Sequence, residues 1–171
     1  MFMLIKEENS VVHGWKTLTL SGDKTPQSVR LPVGQVLVPL SVWQTRRAEL
    51  IHREYEHGWP LGIWLAADES AEAIGDDIDD FTVIAVEFNK LADSNGIANA
   101  QLLRKQFGYK GELRAIGDLP REKLSYLSRA GFDTVVANEY RSSSGGNQVA
   151  PSRWSGFIPT QQPVHLSTFS G

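Results

Sequence analysis

Cysteine is absent from all 171 residues of this sequence. Without thiols the chain forms no disulfide, holds no thiolate zinc site or ordinary iron–sulfur cluster, and offers no cysteine nucleophile. Redox chemistry would have to come from a bound organic cofactor or from a partner, and we predict no cofactor from the sequence. Only four histidines are present, and the nearest pair, His52 and His57, lie on different faces of a predicted helix, which argues against a zinc site.

The sequence also lacks an excess of one charge. Its 17 basic and 20 acidic side chains give a net charge of -3, which is not the basic footprint that nucleic acid or an anionic membrane surface attracts. No apolar run approaches the roughly 20 residues of a membrane span. Residues 1–8 lack the basic region and long apolar stretch of a signal peptide. We therefore predict a cytoplasmic protein without a nucleic-acid or membrane partner.

The motifs of several common enzyme classes are missing. The sequence contains no Gly-x-Gly-x-x-Gly, no Gly-x-x-x-x-Gly-Lys-Ser/Thr and no Gly-x-Ser-x-Gly. These absences argue against a dinucleotide site of the usual kind, a phosphate-binding Walker loop and a serine hydrolase elbow. Whether the chain is an enzyme stays open, but a stand-alone reductase is disfavoured.

The sequence does contain a repeating pattern. Short apolar runs are each followed by a polar cluster and then by a stretch with helical spacing; the runs are 61–65, 81–86, 113–116 and 132–136. Strands separated by helices run parallel, so this pattern predicts an α/β fold with a mainly parallel sheet of about four strands in βαβ units. Two arrangements remain open: a partial barrel in which consecutive strands pair in order, or a doubly wound sheet.

Around this centre the sequence predicts three regions. Residues 1–40 alternate polar and apolar side chains and are expected to form short strands packed on the core. Residues 41–140 form the α/β domain, and residues 141–171, rich in Ser, Gly and Pro, form a flexible or loosely docked tail. Trp154 and Phe157 in this tail could anchor it on its own domain or on a second subunit.

Local signals place the first elements of the domain. Ser41 and Gln44 fit a capping box that opens a helix over 42–55. Asp68 or Ser70 is expected to cap a short helix that runs to Ile74. The acidic run 76–80 is expected to be a solvated connection between a helix and a strand.

Other sequence signals predict the remaining strands and helices of the domain. The run 81–88 is nearly all apolar and is expected to be the central strand. A long connection over 89–96 should lead to a helix over 97–107, and Asp118 with Pro120 should open the last helix.

Polar residues at the strand exits form the candidate site. The carboxyl ends of parallel strands meet at one edge of the sheet, where helix amino termini also point, so these side chains are expected to share a crevice. Such a crevice could hold a hard cation. It could instead hold an anion bound by the positive side chains of Lys90 and Arg121. The alternatives are that Asp68 and Asp118 only cap helices and that Glu87 is only solvated. The predicted ligand-binding residues are Asp68, Glu87, Lys90, Asp93, Asp118 and Arg121, with no metal predicted. The loop over 90–96, which precedes a helix start, is the candidate anion cradle.

The string Gly-Glu-Leu-Arg-Ala-Ile-Gly-Asp at 111–118, with Gly131-Phe132-Asp133 after it, resembles an uncharacterised bacterial family. The resemblance extends over about 36–137 and includes 39–43, 62–65 with Asp68, Lys90 with Asp93, and 100–104. Members of that family are usually encoded beside assimilatory sulfite reductase and are labelled as oxidoreductases of sulfite reduction. Where members carry Asp-Gly-Arg-Gly, an aromatic residue and a serine, this sequence has Asp-Ser-Asn-Gly-Ile-Ala at 93–98.

Two functions follow as hypotheses. The resemblance implies an accessory factor in sulfite reduction and sulfate assimilation that binds or supports sulfite reductase. The strand-exit residues instead suggest a small-molecule or oxyanion-binding enzyme with its site at the carboxyl edge of the sheet. A homodimer that covers an exposed sheet edge is compatible with either hypothesis.

Overall fold

The computed structural model describes residues 9–12, 14–89, 93–119, 121–137 and 164–165. Within these residues, all strands belong to one eight-stranded sheet. The strands are β1 (Asn9–Val12), β2 (Trp15–Leu18), β3 (Val36–Pro39), β4 (Leu61–Leu65), β5 (Val83–Phe88), β6 (Glu112–Gly117), β7 (Thr134–Ala137) and β8 (Val164–His165). No helix in this described part is long and apolar enough to cross a membrane.

The strands lie in the sheet in the same order as in the chain. Strands β2 to β7 are parallel, whereas β1 and β8 pair antiparallel at the two edges. The six parallel strands curl into a half-barrel, so the predicted α/β fold class is confirmed in its partial-barrel form. The sheet has more parallel strands than the expected four because β2 and β3, from the amino-terminal segment, join it.

Four helices connect the parallel strands. They are α1 (Leu40–His57), the 3-10 helix α2 (Ala71–Asp80), α3 (Asp93–Gln101, continued by a π turn at Leu102–Gln106) and α4 (Leu124–Ala130, preceded by a 3-10 turn at Arg121–Lys123). Right-handed crossovers between neighbouring parallel strands place successive helices on one face of the sheet. We call the helix-covered face the outer face and the opposite one the inner face.

Side chains alternate between these two faces along each strand. In β5, Ile84 and Val86 belong to the large core beneath the helices, while Val83 and Ala85 belong to a smaller apolar cluster on the inner face. All four are at most 1% exposed, which confirms that this central strand is buried on both faces. The register continues the alternation across the sheet, so that Trp64, Ala85, Arg114 and Thr134 form one row of the inner face.

A buried ion pair occupies that row of the inner face. Arg114, only 1% exposed, donates from Nε to Glu112 Oε1 at 2.8 Å. Thr134, on the neighbouring strand, donates its hydroxyl to the same oxygen at 2.7 Å. Both partners of the ion pair lie in β6, and the hydrogen bond from Thr134 links them to β7. Glu112 compensates the charge of Arg114, which would be costly to bury alone.

A second network holds the amino-terminal edge of the sheet. Arg104, in the π turn, donates to the carbonyl oxygens of Gly131, Tyr109 and Gly111 at 2.8–3.0 Å and forms an ion pair with Asp133. The same carboxylate accepts from the Leu113 N–H at 2.9 Å. The Arg104 network therefore joins α3 to the starts of β6 and β7, so the motif at 111–118 and 131–133 is structural at its amino-terminal end.

Two predicted helix starts are wrong. α1 begins at Leu40 after Pro39, with no side-chain cap, and Gln44 donates to the Ala73 carbonyl instead of completing a capping box. Pro39 ends β3 within the sheet, so the backbone enters the helix before Ser41. α3 begins at Asp93 rather than at residue 97, which shortens the connection expected over 89–96.

Other local predictions are confirmed or refined. Ser70 caps α2 by accepting from the Glu72 N–H at 3.3 Å. α2 continues beyond Ile74 because Gly75, with φ +75°, permits a kink. The acidic run is therefore part of a 3-10 helix rather than a connection, and Asp77 in it pairs with Arg47 on α1. The expected tail at 141–171 lies outside the described residues except for β8.

Candidate functional site

A cavity of about 330 Å³ opens at the carboxyl ends of the strands on the inner side of the half-barrel. We call it the mouth cavity. It receives residues from the ends of five neighbouring strands and from the loops that follow them. Its volume lies within the range of small-molecule pockets, and its position is where (β/α) folds carry their ligands. The described lining residues are Thr17, Thr19, Leu20, Ser21, Pro39, Ser41, Trp64, Ala66, Glu69, Glu87 and Ile116.

The alternation of the strands explains which side chains reach the cavity. Thr17, Pro39 and Trp64 occupy inner-face positions in β2, β3 and β4, and Glu87 pairs with Ile116 in the last inner row. The Trp64 indole Nε1 donates to the Leu18 carbonyl at 2.8 Å. This hydrogen bond fixes the ring, so Trp64 forms a rigid aromatic wall of the cavity.

Two carboxylates occupy the other wall. The Ala66 N–H donates to Glu69 Oε2 at 2.8 Å, and the next N–H, of Ala67, donates to Glu87 Oε2 at 3.2 Å. Consecutive backbone amides hold the two carboxylates, and the charge of Glu69 acts on Glu87. Within the described part of the chain, the second oxygen of each carboxylate takes no hydrogen bond.

The turn that presents these amides is held from behind by α3. Asn99, 2% exposed, accepts from the Ala71 N–H and donates to the Glu69 carbonyl, both at 2.8 Å. Asn95 donates to the carbonyls of Ala67 and Glu69. The turn is therefore preorganised rather than dependent on a ligand for its shape.

The mouth cavity is electrostatically negative at this wall. Burial raises the pKa of the Glu87 carboxyl, and the charges of Asp68 and Glu69 add to that shift; the hydrogen bond from Ala67 and the charge of the chain's amino terminus oppose it. None of the described lining residues is basic. The described residues contain no group of three or more His, Asp or Glu side chains placed to hold a metal ion.

Replacing Glu87 by glutamine is expected to stabilise the fold at neutral pH. A carboxyl whose pKa is raised by folding favours the folded state below its unfolded pKa and loses that contribution as the pH rises through its folded pKa. Glutamine keeps the acceptor for the Ala67 N–H without the charge. The melting temperature of Glu87→Gln should exceed that of the wild type at pH 7 and match it near pH 4.

The matched control is Glu72→Gln, because Glu72 is exposed on α2. It should give no stabilisation at pH 7. An equal gain in both variants, or a Glu87→Gln gain that is unchanged near pH 4, would contradict the assigned environment of Glu87.

The structure brings only part of the predicted site together. Asp68 lies in the turn after β4 close enough to act on Glu87, but it is exposed and lines no described cavity. Asp118 follows β6, where its N–H donates to the Phe88 carbonyl at 3.0 Å. The remaining predicted residues are not placed at side-chain level: Lys90 lies outside the described residues, and Asp93 and Arg121 are described only as backbone, in α3 and in the turn before α4.

Much of the cavity lining was missed by the sequence interpretation. Thr17 and Thr19 come from the segment 1–40, which was expected to pack on the core and not to contribute strands to the parallel sheet, and Ser41 was expected only to cap a helix. Trp64 looked like an ordinary core residue within an apolar run. The available signal was the alternation at 15–19, which places Thr17 and Thr19 on the same side of an extended chain.

These features define a class: a (β/α) half-barrel with one preorganised, acidic cavity at the carboxyl ends of its parallel strands. The chain belongs to a family of bacterial proteins of unknown function, DUF934, whose model matches residues 62–156. No curated protein and no solved structure matches it. The matched range contains both carboxylates and Trp64, whereas Thr17, Thr19, Pro39 and Ser41 precede it.

Proposed function

We propose that this protein binds a small polar molecule in the mouth cavity. The observation that carries the proposal is the combination of an open cavity of about 330 Å³ with polar groups that have no described protein partner. No side-chain hydrogen bond within the described part of the chain involves the hydroxyls of Thr17, Thr19, Ser21 or Ser41. Pockets that orient a ligand combine apolar walls with a few convergent polar groups.

The preorganised wall supports the same proposal. Asn95 and Asn99 fix the turn, and the turn fixes the two carboxylates, so little conformational entropy would be lost on binding. A surface groove without function would not need this second layer of hydrogen bonds. The position at the carboxyl ends of the strands agrees with the site expected from the sequence.

A thermal-shift panel tests the proposal. The panel contains organic cations, uncharged polyols, sulfite, sulfate, phosphate and nucleotides. A ligand present at about 100 times its dissociation constant stabilises the folded chain by about 2.7 kcal/mol, which corresponds to about 5–10 °C for a domain of this size. We expect at least one class of compound to give such a shift.

Two variants locate the binding. Thr19→Trp fills the mouth cavity and should abolish the shift, whereas Ser125→Trp places the same side chain on the exposed surface of α4 and should retain it. A shift that survives in Thr19→Trp would place binding elsewhere. The absence of any shift across the panel would overturn the proposal.

The sequence string at 111–118 favours a second proposal, that the protein is an accessory factor in sulfite reduction. This proposal is supported by the resemblance to proteins encoded beside assimilatory sulfite reductase. It is compatible with the first, since an accessory factor can bind a small molecule. The partner would then be sulfite reductase itself.

Sedimentation of the full-length chain with sulfite reductase from the same organism tests this second proposal. Co-sedimentation at micromolar concentration is the expected result, and clean separation of the two proteins would contradict it. The same run on the chain alone tests the predicted homodimer, which would sediment at twice the mass of the chain.

A further inference from the structure

This inference rests on the proposed function and names the ligand class of the mouth cavity. We propose that the cavity takes a small organic cation, whose ammonium group binds between Glu69 and Glu87 and against the ring of Trp64. Three features of the cavity point to this ligand: carboxylate oxygens without a described hydrogen-bond donor, the absence of a described basic side chain, and the fixed aromatic wall with its hydroxyl neighbours.

The carboxylates are positioned to share one donor group. Glu69 and Glu87 both line the cavity, and each uses one oxygen on consecutive backbone amides, which leaves the second oxygen of each without a described donor. A carboxylate accepts hydrogen bonds and donates none when ionised. An ammonium group carries three donors, so a single one can bind both carboxylates and still donate to a third acceptor.

The described residues place no basic side chain against this pair, although the charge of the chain's amino terminus also acts on Glu87. Elsewhere in the structure, carboxylates are paired with arginines: Asp77 with Arg47, Asp133 with Arg104, and Glu112 with Arg114. Among the described residues, neither Glu69 nor Glu87 has a basic side chain within ion-pair distance. Half-buried like charges held together repel each other, and a bound cation relieves that repulsion.

The third feature that favours a cation is the cavity wall formed by Trp64. Its Nε1 is already used on the Leu18 carbonyl, so the ring lines the cavity without a free donor. Cations bind favourably over the face of tryptophan. The hydroxyls of Thr17 and Thr19 add further acceptors for N–H groups.

Other ligand charges fit less well. An oxyanion would meet two carboxylates and no described basic side chain. An uncharged polyol could use the hydroxyls but would bring no positive charge to the carboxylate pair. The charge of the ligand is therefore the variable that the experiment should isolate.

Three probes share a four-carbon skeleton and differ in their end groups: 1,4-diaminobutane, 1,4-butanediol and succinate. Isothermal titration calorimetry on the full-length chain at low ionic strength should show the diamine binding at least about tenfold more tightly than the diol, with no binding of succinate. Glu87→Gln and Glu69→Gln should each weaken diamine binding by about tenfold or more, because each removes a charge-assisted hydrogen bond. Glu72→Gln, at an exposed position of α2, should leave diamine binding unchanged.

The outcomes separate this inference from the proposed function. If succinate or sulfite binds and Thr19→Trp abolishes that binding, the cavity is a ligand site but the cation assignment is wrong. If the diamine binds equally to wild type and to Glu69→Gln/Glu87→Gln, the carboxylates are not its site and the inference fails. If neither these probes nor any panel compound binds, the inference and the proposed function both fail.

Discussion

Arg104→Ala is expected to destabilise the fold by about 3–5 kcal/mol, the largest effect of any single substitution proposed. The change removes three hydrogen bonds to backbone carbonyls and the ion pair with Asp133. The carbonyls of Gly131, Tyr109 and Gly111 would lose a charged donor in a partly buried place. Urea denaturation followed by circular dichroism measures the loss as a lower midpoint with an unchanged slope.

Two further variants make the test specific. Arg104→Lys keeps the charge but lacks the planar guanidinium group that donates to several acceptors at once. It should therefore recover less than half of the lost stability. Arg129→Ala removes an exposed arginine whose single described hydrogen bond, to the Ser125 carbonyl, is 3.3 Å long, and should cost less than about 0.5 kcal/mol. Equal losses for Arg104→Ala and Arg129→Ala would contradict the structural role of the Arg104 network.

Gly117→Ala is expected to cost about 3 kcal/mol or more. Gly117 ends β6 with φ +112°, a conformation that L side chains rarely adopt. An added Cβ would also overlap the carbonyl oxygen of Phe88 on the neighbouring strand, and that backbone cannot move without disrupting the β5–β6 pairing. Calorimetry should show a fall of about 6 °C or more in melting temperature.

Gly22→Ala provides the control for backbone strain alone. Gly22 has φ +63°, but a Cβ there would have open space around it. The substitution should cost only about 1–2 kcal/mol, the usual penalty of the left-handed conformation. If Gly117→Ala destabilised the fold no more than Gly22→Ala, the result would contradict the close approach of Gly117 to the Phe88 carbonyl.

The fold was predictable where burial on both faces left a continuous apolar run. The strands β4 and β5 were recognised in this way, and the turns between the strands carry the usual glycine signals. The strands β2 and β3 were not recognised as parallel strands, because each is only four residues long and β2 carries two polar residues between its apolar ends. The sequence alone therefore identified the βαβ repeat but predicted too few parallel strands.

The site was predictable in position more than in composition. Parallel strands place ligands at their carboxyl ends, and Glu87 was identified on that ground. The partner of Glu87 on the same wall is Glu69, and the two are related by the register of β4 and β5 and by hydrogen bonds to successive amides. Such a relation joins distant parts of the chain, so no local pattern contains it.

The role of the motif also depends on tertiary structure. Read as a string, 111–118 has charged residues that invite a catalytic interpretation. In the fold, Arg114 and Glu112 pair with each other inside the half-barrel, and Gly111 accepts a hydrogen bond from Arg104. The motif thus stabilises the amino-terminal half of the sheet, while the mouth cavity at the opposite edge is the proposed ligand site.

The indole N–H resonance of Trp64 tests that central claim most directly. Its hydrogen bond to Leu18 keeps it at the wall of the mouth cavity, whereas Trp43 is 2% exposed in the core beneath the helices. During titration with 1,4-diaminobutane and then with each other panel compound, a bound ligand should shift the Trp64 resonance, assigned through Trp64→Phe, and leave that of Trp43 in place. If Trp64 moves with no compound, or only together with Trp43, the mouth cavity is not the ligand site.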